Sequence, residues 1–278
     1  MRLALSNIAW DVEEDEAIAA LLHDFAVDAI DIAPGKYFPD PAQVTERDIR
    51  QVRSWWKQRG VEITGMQALL FGTQGLNLFG SRQSQDAMLQ HLTAVCRIGH
   101  GLGATRIVFG SPKNRDRSGL DDDQALELAI AFFRSLGDIA QQYGVIICLE
   151  PNPTCYGANF MTTSEETARV VRGVEHPAIR MQLDTGALAI NGEDPAIVLG
   201  EHAALIGHIH ASEPDLLPLG DGVTDHPRVT QALAQHLPDH LVTIEMVATR
   251  DEPHCLSIQR ALRVATQHYR RAGEEVAQ

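Results

Sequence analysis

Eight short apolar runs punctuate the chain, at residues 2–9, 26–33, 61–69, 104–110, 145–150, 179–184, 206–211 and 241–247. They are bounded by polar and turn-forming residues and are too short for ordinary helices, so they predict buried strands. Between them apolar residues take a helical spacing. Residues 11–25 bring Ile18, Leu21, Leu22 and Phe25 to one face, and residues 41–59 do the same with Val44, Ile49, Val52 and Trp55. Residues 84–102 carry Met88, Leu92, Val95 and Ile98 before Gly101 and Gly103; residues 121–143 carry Leu126, Ile130, Phe133 and Leu136 before Gly144. Glycine there is a helix stop. Ser164 is expected to cap the fifth helix. Asp194-Pro195 and His226-Pro227 each open a helix with proline in the first turn. The last helix is expected from about residue 253 to residue 272.

Eight strand–helix units in 278 residues predict a (β/α)8 TIM barrel, a single domain over residues 1–278. An open doubly wound sheet is the alternative. It normally carries a glycine-rich phosphate loop after its first strand, where this chain reads Ser6-Asn7-Ile8-Ala9-Trp10. The longest connections are expected after strands three, four, five and seven, at the C-terminal face where barrel active sites lie.

The last four strands share an ending. Val145-Ile-Ile-Cys-Leu-Glu150, Ile179-Arg-Met-Gln-Leu-Asp184, Ile206-Gly-His-Ile-His210 and Leu241-Val-Thr-Ile-Glu245 each run apolar into a residue able to bind a metal. Side chains alternate along a strand. Cys148, Gln182, His208 and Thr243 therefore share the face of the four end residues, and Leu149, Leu183, Ile209 and Ile244 take the other. One face is small or polar throughout and the opposite face aliphatic. That fits an inward ligand set above a polar layer. Three carboxylates and an imidazole suit a hard or borderline divalent cation, Mn²⁺ above all, with Mg²⁺, Co²⁺ or Zn²⁺ as alternatives. His210 is nearer the strand end than His208, which is expected below it, and Gln182 is placed to orient a ligand.

Net charge is −14, which disfavours a nucleic-acid partner. No run approaches the ~18 apolar residues of a membrane span. Cys96, Cys148, Cys155 and Cys255 show no paired spacing and are expected as free thiols. With no leader-like pattern at the start, a cytoplasmic location is expected.

The order Glu, Asp, His, Glu on strands five to eight resembles the xylose isomerase-like superfamily of sugar isomerases and epimerases. So do Ile147-Cys-Leu-Glu-Pro-Asn152, Gln182-Leu-Asp-Thr-Gly186, His208-Ile-His-Ala-Ser-Glu213 and Pro218-Leu-Gly-Asp-Gly222. The resemblance spans essentially the whole chain. It implies a divalent metal on Glu150, Asp184, His210 and Glu245, and a small carbohydrate or hydroxy-carbonyl substrate. It also implies proton transfer through an enediolate, with Glu150 and Glu245 as acid and base. A lyase or dehydratase acting on a keto-sugar or keto-glycoside is the alternative, because an enediolate beside a leaving group eliminates. Barrels of this kind often form homo-oligomers. Two departures argue against a free ketohexose: Ala187 stands where ketose 3-epimerases often carry histidine, and Pro214-Asp-Leu-Leu-Pro218 lacks their arginine. The same missing histidine and the acidic charge argue against an endonuclease IV-like role.

Substrate contacts are expected from Asn7, Lys36, Gln67, Asn152, His208 and Glu213. Lys113, Arg115 and Arg117 follow strand four and are expected as a solvated charged loop rather than an anion clamp.

Overall fold

The structure is a computed structural model and describes residues 1–270. Eight strands close into a barrel in sequence order, with β1 (Leu3–Ser6) pairing both β2 (Ala29–Ile32) and β8 (Val242–Glu245), and every pairing is parallel. Between them lie β3 (Glu62–Met66), β4 (Arg106–Phe109), β5 (Ile146–Leu149), β6 (Ile179–Asp184) and β7 (Ile206–Ser212). The outer layer is α1 (Asp15–Asp24), α2 (Glu46–Gln58), α3 (Arg82–Leu102), α4 (Asp122–Gln142), α5 (Ser164–Val174), α7 (Pro195–His202), α8 (His226–His236) and α9 (His254–Tyr269). A short α6 (Thr185–Asn191) precedes α7.

The aliphatic face of each strand is the barrel's outer surface. Leu149, Leu183, Ile209 and Ile244 are all but inaccessible in the layer between strands and helices. Each such side chain contributes about 1.5–3 kcal/mol through burial. Helix starts follow local chemistry. Thr45 and Asp48 form a reciprocal capping box at α2, as do Asp121 and Gln124 at α4. These pairs satisfy backbone N–H groups that would otherwise be orphaned.

Three details differ from the sequence expectation. Thr163, not Ser164, caps α5: its hydroxyl accepts from the Glu166 N–H at 3.2 Å, and Ser164 is the first helical residue. Helix α6 starts directly from β6 with Asp184 as its cap, an unforeseen element because the cap doubles as a strand end. The connection after β2, residues 33–45, is as long as that after β7, residues 213–225. The last helix ends at Tyr269, and the expected continuation to residue 272 lies outside the described residues. All four cysteines are free thiols. No helix among the described residues is long and apolar enough to cross a membrane.

Candidate active site

Parallel pairing aligns the ends of the last four strands. Asp184 is in register with His210, and Glu245 with Ser212, two residues further along β7. Glu150 follows β5 directly. One ligand atom from each of Glu150, Asp184, His210 and Glu245 lies within 4.8 Å of the others. His210 Nδ1 is the hub: it lies 3.1 Å from Glu245 Oε2, 3.6 Å from Glu150 Oε1 and 4.0 Å from Asp184 Oδ2. Gly110, just past β4, makes room for this cluster. A Cβ there would sit 1.9 Å from Glu150 Oε2.

The carboxylates are individually anchored. Gln67 Nε2 donates to Glu245 Oε1 at 2.6 Å, and Asn152 Nδ2 donates to Glu150 Oε2 at 3.0 Å. Asp184 accepts at Oδ1 from the Ala187 N–H at 2.6 Å and at Oδ2 from the Ser212 hydroxyl at 2.8 Å. Ser212 was not singled out from the sequence. Its signal is the alternation itself, since it lies two residues beyond His210 on the same face of β7.

Charge is badly balanced at this point. Three carboxylates share one imidazole where little water reaches them. Burial, then Glu245 and Glu150, push the Asp184 carboxyl up to about 8. Burial also opposes ionisation of Glu245, but His210 outweighs it and holds that carboxyl below its ordinary value. His210 in turn is held well above its ordinary value: Glu245 and Glu150 override its burial. Such surplus negative charge in a low-dielectric site is costly unless a cation shares it. An imidazole nitrogen and three carboxylate oxygens are a donor set that a hard or borderline divalent cation fits.

A polar layer lies beneath. Asp31 of β2 is buried and meets His208 Nε2 at 2.7 Å, the Thr243 hydroxyl at 2.8 Å and the Thr64 hydroxyl at 3.0 Å. Gly65 makes this possible, because a Cβ there would lie 2.5 Å from Asp31 Oδ1. Gln182 bridges the two histidines. Its amide nitrogen donates to the His208 carbonyl at 3.2 Å, and its oxygen accepts from the His210 N–H at 3.2 Å.

The other predicted contacts divide. Gln67 and Asn152 line the cavities at the centre. His208 faces Asp31 in the layer below. Asn7 Oδ1 accepts from the Ala33 N–H at 2.7 Å, and Lys36 Nζ donates to the Asn7 carbonyl at 2.8 Å and to the Trp10 carbonyl, so this pair ties the first two loops together. Glu213 is buried in its own loop. It accepts from the N–H groups of Gly220 and Thr224, each at 2.9 Å, and meets His226 Nε2 at 2.8 Å. The expectation of a solvated loop after β4 fails at Arg115. Its guanidinium is fully buried and Nη1 donates to the Glu150 carbonyl at 2.6 Å. Charge pattern alone hid this, because a main-chain carbonyl is the partner.

Two cavities open at the centre. One of about 440 Å³ is lined by Tyr156, Asp184, Ala187 and Asp215, and one of about 290 Å³ by Ile8, Gln67, Phe71 and Phe109. Glu150, Asn152, Leu216 and Glu245 line both. Leu216 belongs to a strained turn: Asp215 and Leu216 hold φ of 58° and 52°, a left-handed conformation that non-glycine residues adopt at a cost of order 1–3 kcal/mol each. The Tyr156 hydroxyl accepts from the Asp215 N–H at 2.7 Å and the Leu216 carbonyl accepts from the Val247 N–H at 3.0 Å, and both bonds hold the turn over the cavities.

A closed parallel barrel with a carboxylate–imidazole centre at its C-terminal mouth defines the class. A profile of the xylose isomerase-like TIM barrel matches residues 19–267, and the chain belongs to that family. A direct comparison with curated protein sequences finds no match. Among solved structures, D-psicose 3-epimerase from Clostridium cellulolyticum H10, solved with D-tagatose, superposes with a TM-score of 0.81 at 17% identity over 97% of this chain and 99% of that one. The E. coli 3-keto-D-glucoside 4-epimerase gives 0.78 at 16% identity over 95% and 98%. A D-allulose 3-epimerase from Methylomonas sp., in complex with D-allulose, gives 0.77 at 20% identity over 97% of each.

Proposed function

We propose that the protein is a divalent-metal-dependent isomerase or epimerase of a sugar or small hydroxy-carbonyl compound. The observation that carries this is the convergence of Glu150, Asp184, His210 and Glu245 where two cavities meet. These four residues would hold the cation, His210 through Nδ1. A cation bound there supplies Lewis-acid polarisation of a carbonyl, which acidifies the adjacent C–H.

The protein's own groups then handle the proton. Glu150 and Glu245 both line the cavities, so one can accept a proton from a substrate carbon while the other returns one. Gln67 and Asn152 each hold one oxygen of these carboxylates, which leaves the other oxygen aimed into the site. Asp184 has both oxygens engaged by protein donors, which fixes its orientation in the site. The Leu216 turn restricts water above the centre. The substrate is a small carbohydrate.

The test is isotope exchange. Candidate ketoses and keto-glycosides are incubated with the Mn²⁺-loaded protein in D₂O. Deuterium is expected on the carbon beside the carbonyl, and its absence across a broad panel rejects the proposal. A second reading, elimination from a keto-sugar or keto-glycoside, is favoured by Ala187 on the cavity wall, because a cavity without the histidine of ketose 3-epimerases has room for a substituent. Loss of mass from the substrate identifies that outcome.

A further inference from the structure

The opposite end of the barrel holds a third cavity, of about 310 Å³, lined by Thr64, Thr105, Arg106, His208, Asp239 and His240 among others. Thr64 lies within β3 and the others at or near the starts of β4, β7 and β8, so the cavity occupies the N-terminal mouth. Barrel mouths at this end ordinarily serve stability, and this one is built around positive charge. Arg106 Nε donates across the barrel to the Gly207 carbonyl at 2.9 Å, which fixes the guanidinium at the cavity wall. Arg180 stands alongside, its Nη2 donating to the Ala204 carbonyl at 2.6 Å. Gly207 leaves the space between, since a Cβ there would lie 2.7 Å from Arg180 Cβ and 3.1 Å from Cys148 Sγ. Asp239 is the one acid among the lining residues. Asp31, deeper, is already engaged by His208 at 2.7 Å.

In a chain of net charge −14, a recess with Arg106 in its wall and Arg180 beside it, against the single lining acid Asp239, is a local reversal of sign. A concave wall of low dielectric concentrates such a field. Arginine forks match the geometry of oxyanions. His240 senses the same field: burial, then Arg106 and Arg180, hold its pKa below the ordinary value. An anion between these groups relieves the repulsion. The volume is at the lower end of ligand pockets, about 300 Å³, which suits a small group.

We propose that the N-terminal mouth binds a phosphate group, free or on a small metabolite, between Arg106, Arg180 and His240. The site is independent of the chemistry at the opposite mouth. Titration calorimetry of the full-length protein with inorganic phosphate is expected to show saturable binding at one site. Arg106→Met is expected to weaken it tenfold or more. Thr105→Glu places a negative charge at an exposed position on the rim, where folding is undisturbed, and is expected to do the same. Glu245→Gln, at the other end, is expected to bind as the parent does. Glycerol 3-phosphate in competition separates the two sources: displacement assigns an esterified phosphate, and failure to displace assigns free phosphate. No saturable binding, or binding that survives both Arg106→Met and Thr105→Glu, or binding lost only in Glu245→Gln, overturns the proposal.

Discussion

Two glutamate–histidine pairs lie on either side of β7's end and behave in opposite ways. Glu213 meets one imidazole, His226, and two backbone N–H groups. The far nitrogen of that imidazole, Nδ1, meets the Tyr269 hydroxyl at 2.7 Å. Every polar group has a partner, and the Glu213 carboxyl is held down at about 2 by His226 and the Thr224 and Gly220 donors, against the effect of burial. His210 instead faces three carboxylates through one nitrogen, and its Nε2 is buried without a partner. The residue types are the same. What separates a clasp from a reactive centre is the count of donors against charges: the first pair is closed, and the second needs something from outside.

The largest test of that contrast is at the open pair. Replacement of Glu245 by Gln keeps the size and the Gln67 contact within reach but removes a base. Solvent-exchange activity is expected to fall by about 10²–10⁴, and the melting temperature is expected to fall as well, because the carboxylate paired with buried His210 at 3.1 Å is gone. An unchanged exchange rate would show that the carboxylate is only a ligand or a bystander.

The closed pair is expected to respond the other way. Glu213→Gln breaks a buried charge-assisted cluster and should cost about 3 kcal/mol of stability, read as a lower urea midpoint, with the chemistry at the centre retained in the folded fraction. The pH dependence follows from the same residue. Its folded pKa lies below its unfolded value of about 4.3. The stabilisation is therefore fully present above that value and is lost as pH falls from there toward about 2. The substituted protein should lose this part of the acid slope; if both proteins unfold along parallel acid curves, Glu213 is not the group responsible.

Gly110→Ala sharpens the comparison by moving one carboxylate without removing it. The added Cβ would fall 1.9 Å from Glu150 Oε2, so Glu150 must swing away. A displacement on the order of 1 Å costs roughly 10²-fold in rate. A steady-state assay together with a melting curve checks this: a variant with full activity would mean that Glu150 does not need its present position.

How much of this was legible beforehand depends on whether a residue's partner lies on the same pattern as the residue. The barrel and the convergence of Glu150, Asp184, His210 and Glu245 came from alternation within strands, which the chain displays directly. Ser212 was accessible by the same rule. Glu213 and Arg115 were not. Glu213 follows β7 and shares the motif that suggests a substrate contact, yet its partners Gly220, Thr224 and His226 arrive through a folded loop. Arg115 sits between charged neighbours that look solvated, and its partner is a main-chain carbonyl with no sequence signature. Asp31 was invisible for a related reason: its partners, Thr64, His208 and Thr243, come from three other strands, and only closure of the barrel brings β2 opposite β7.

The smallest expected effect is at Gln67. Its Nε2 donates to Glu245 Oε1 at 2.6 Å, whereas its Oε1 is buried without a partner. Half of the amide is therefore used and half is unsatisfied, which is the open character of the centre carried one residue outward. Removing the side chain loses a hydrogen bond to a charged group, about 1.5–3 kcal/mol, but it also removes an orphaned acceptor, and the two partly cancel. Gln67→Ala is expected to lower kcat by about tenfold with little change in melting temperature. The mechanism makes a further distinction. If the amide only props up the wall, Gln67→Glu should fold equally well and act equally well. If its N–H orients Glu245, the substituted carboxylate faces Glu245 as a like charge, and activity should drop below that of Gln67→Ala.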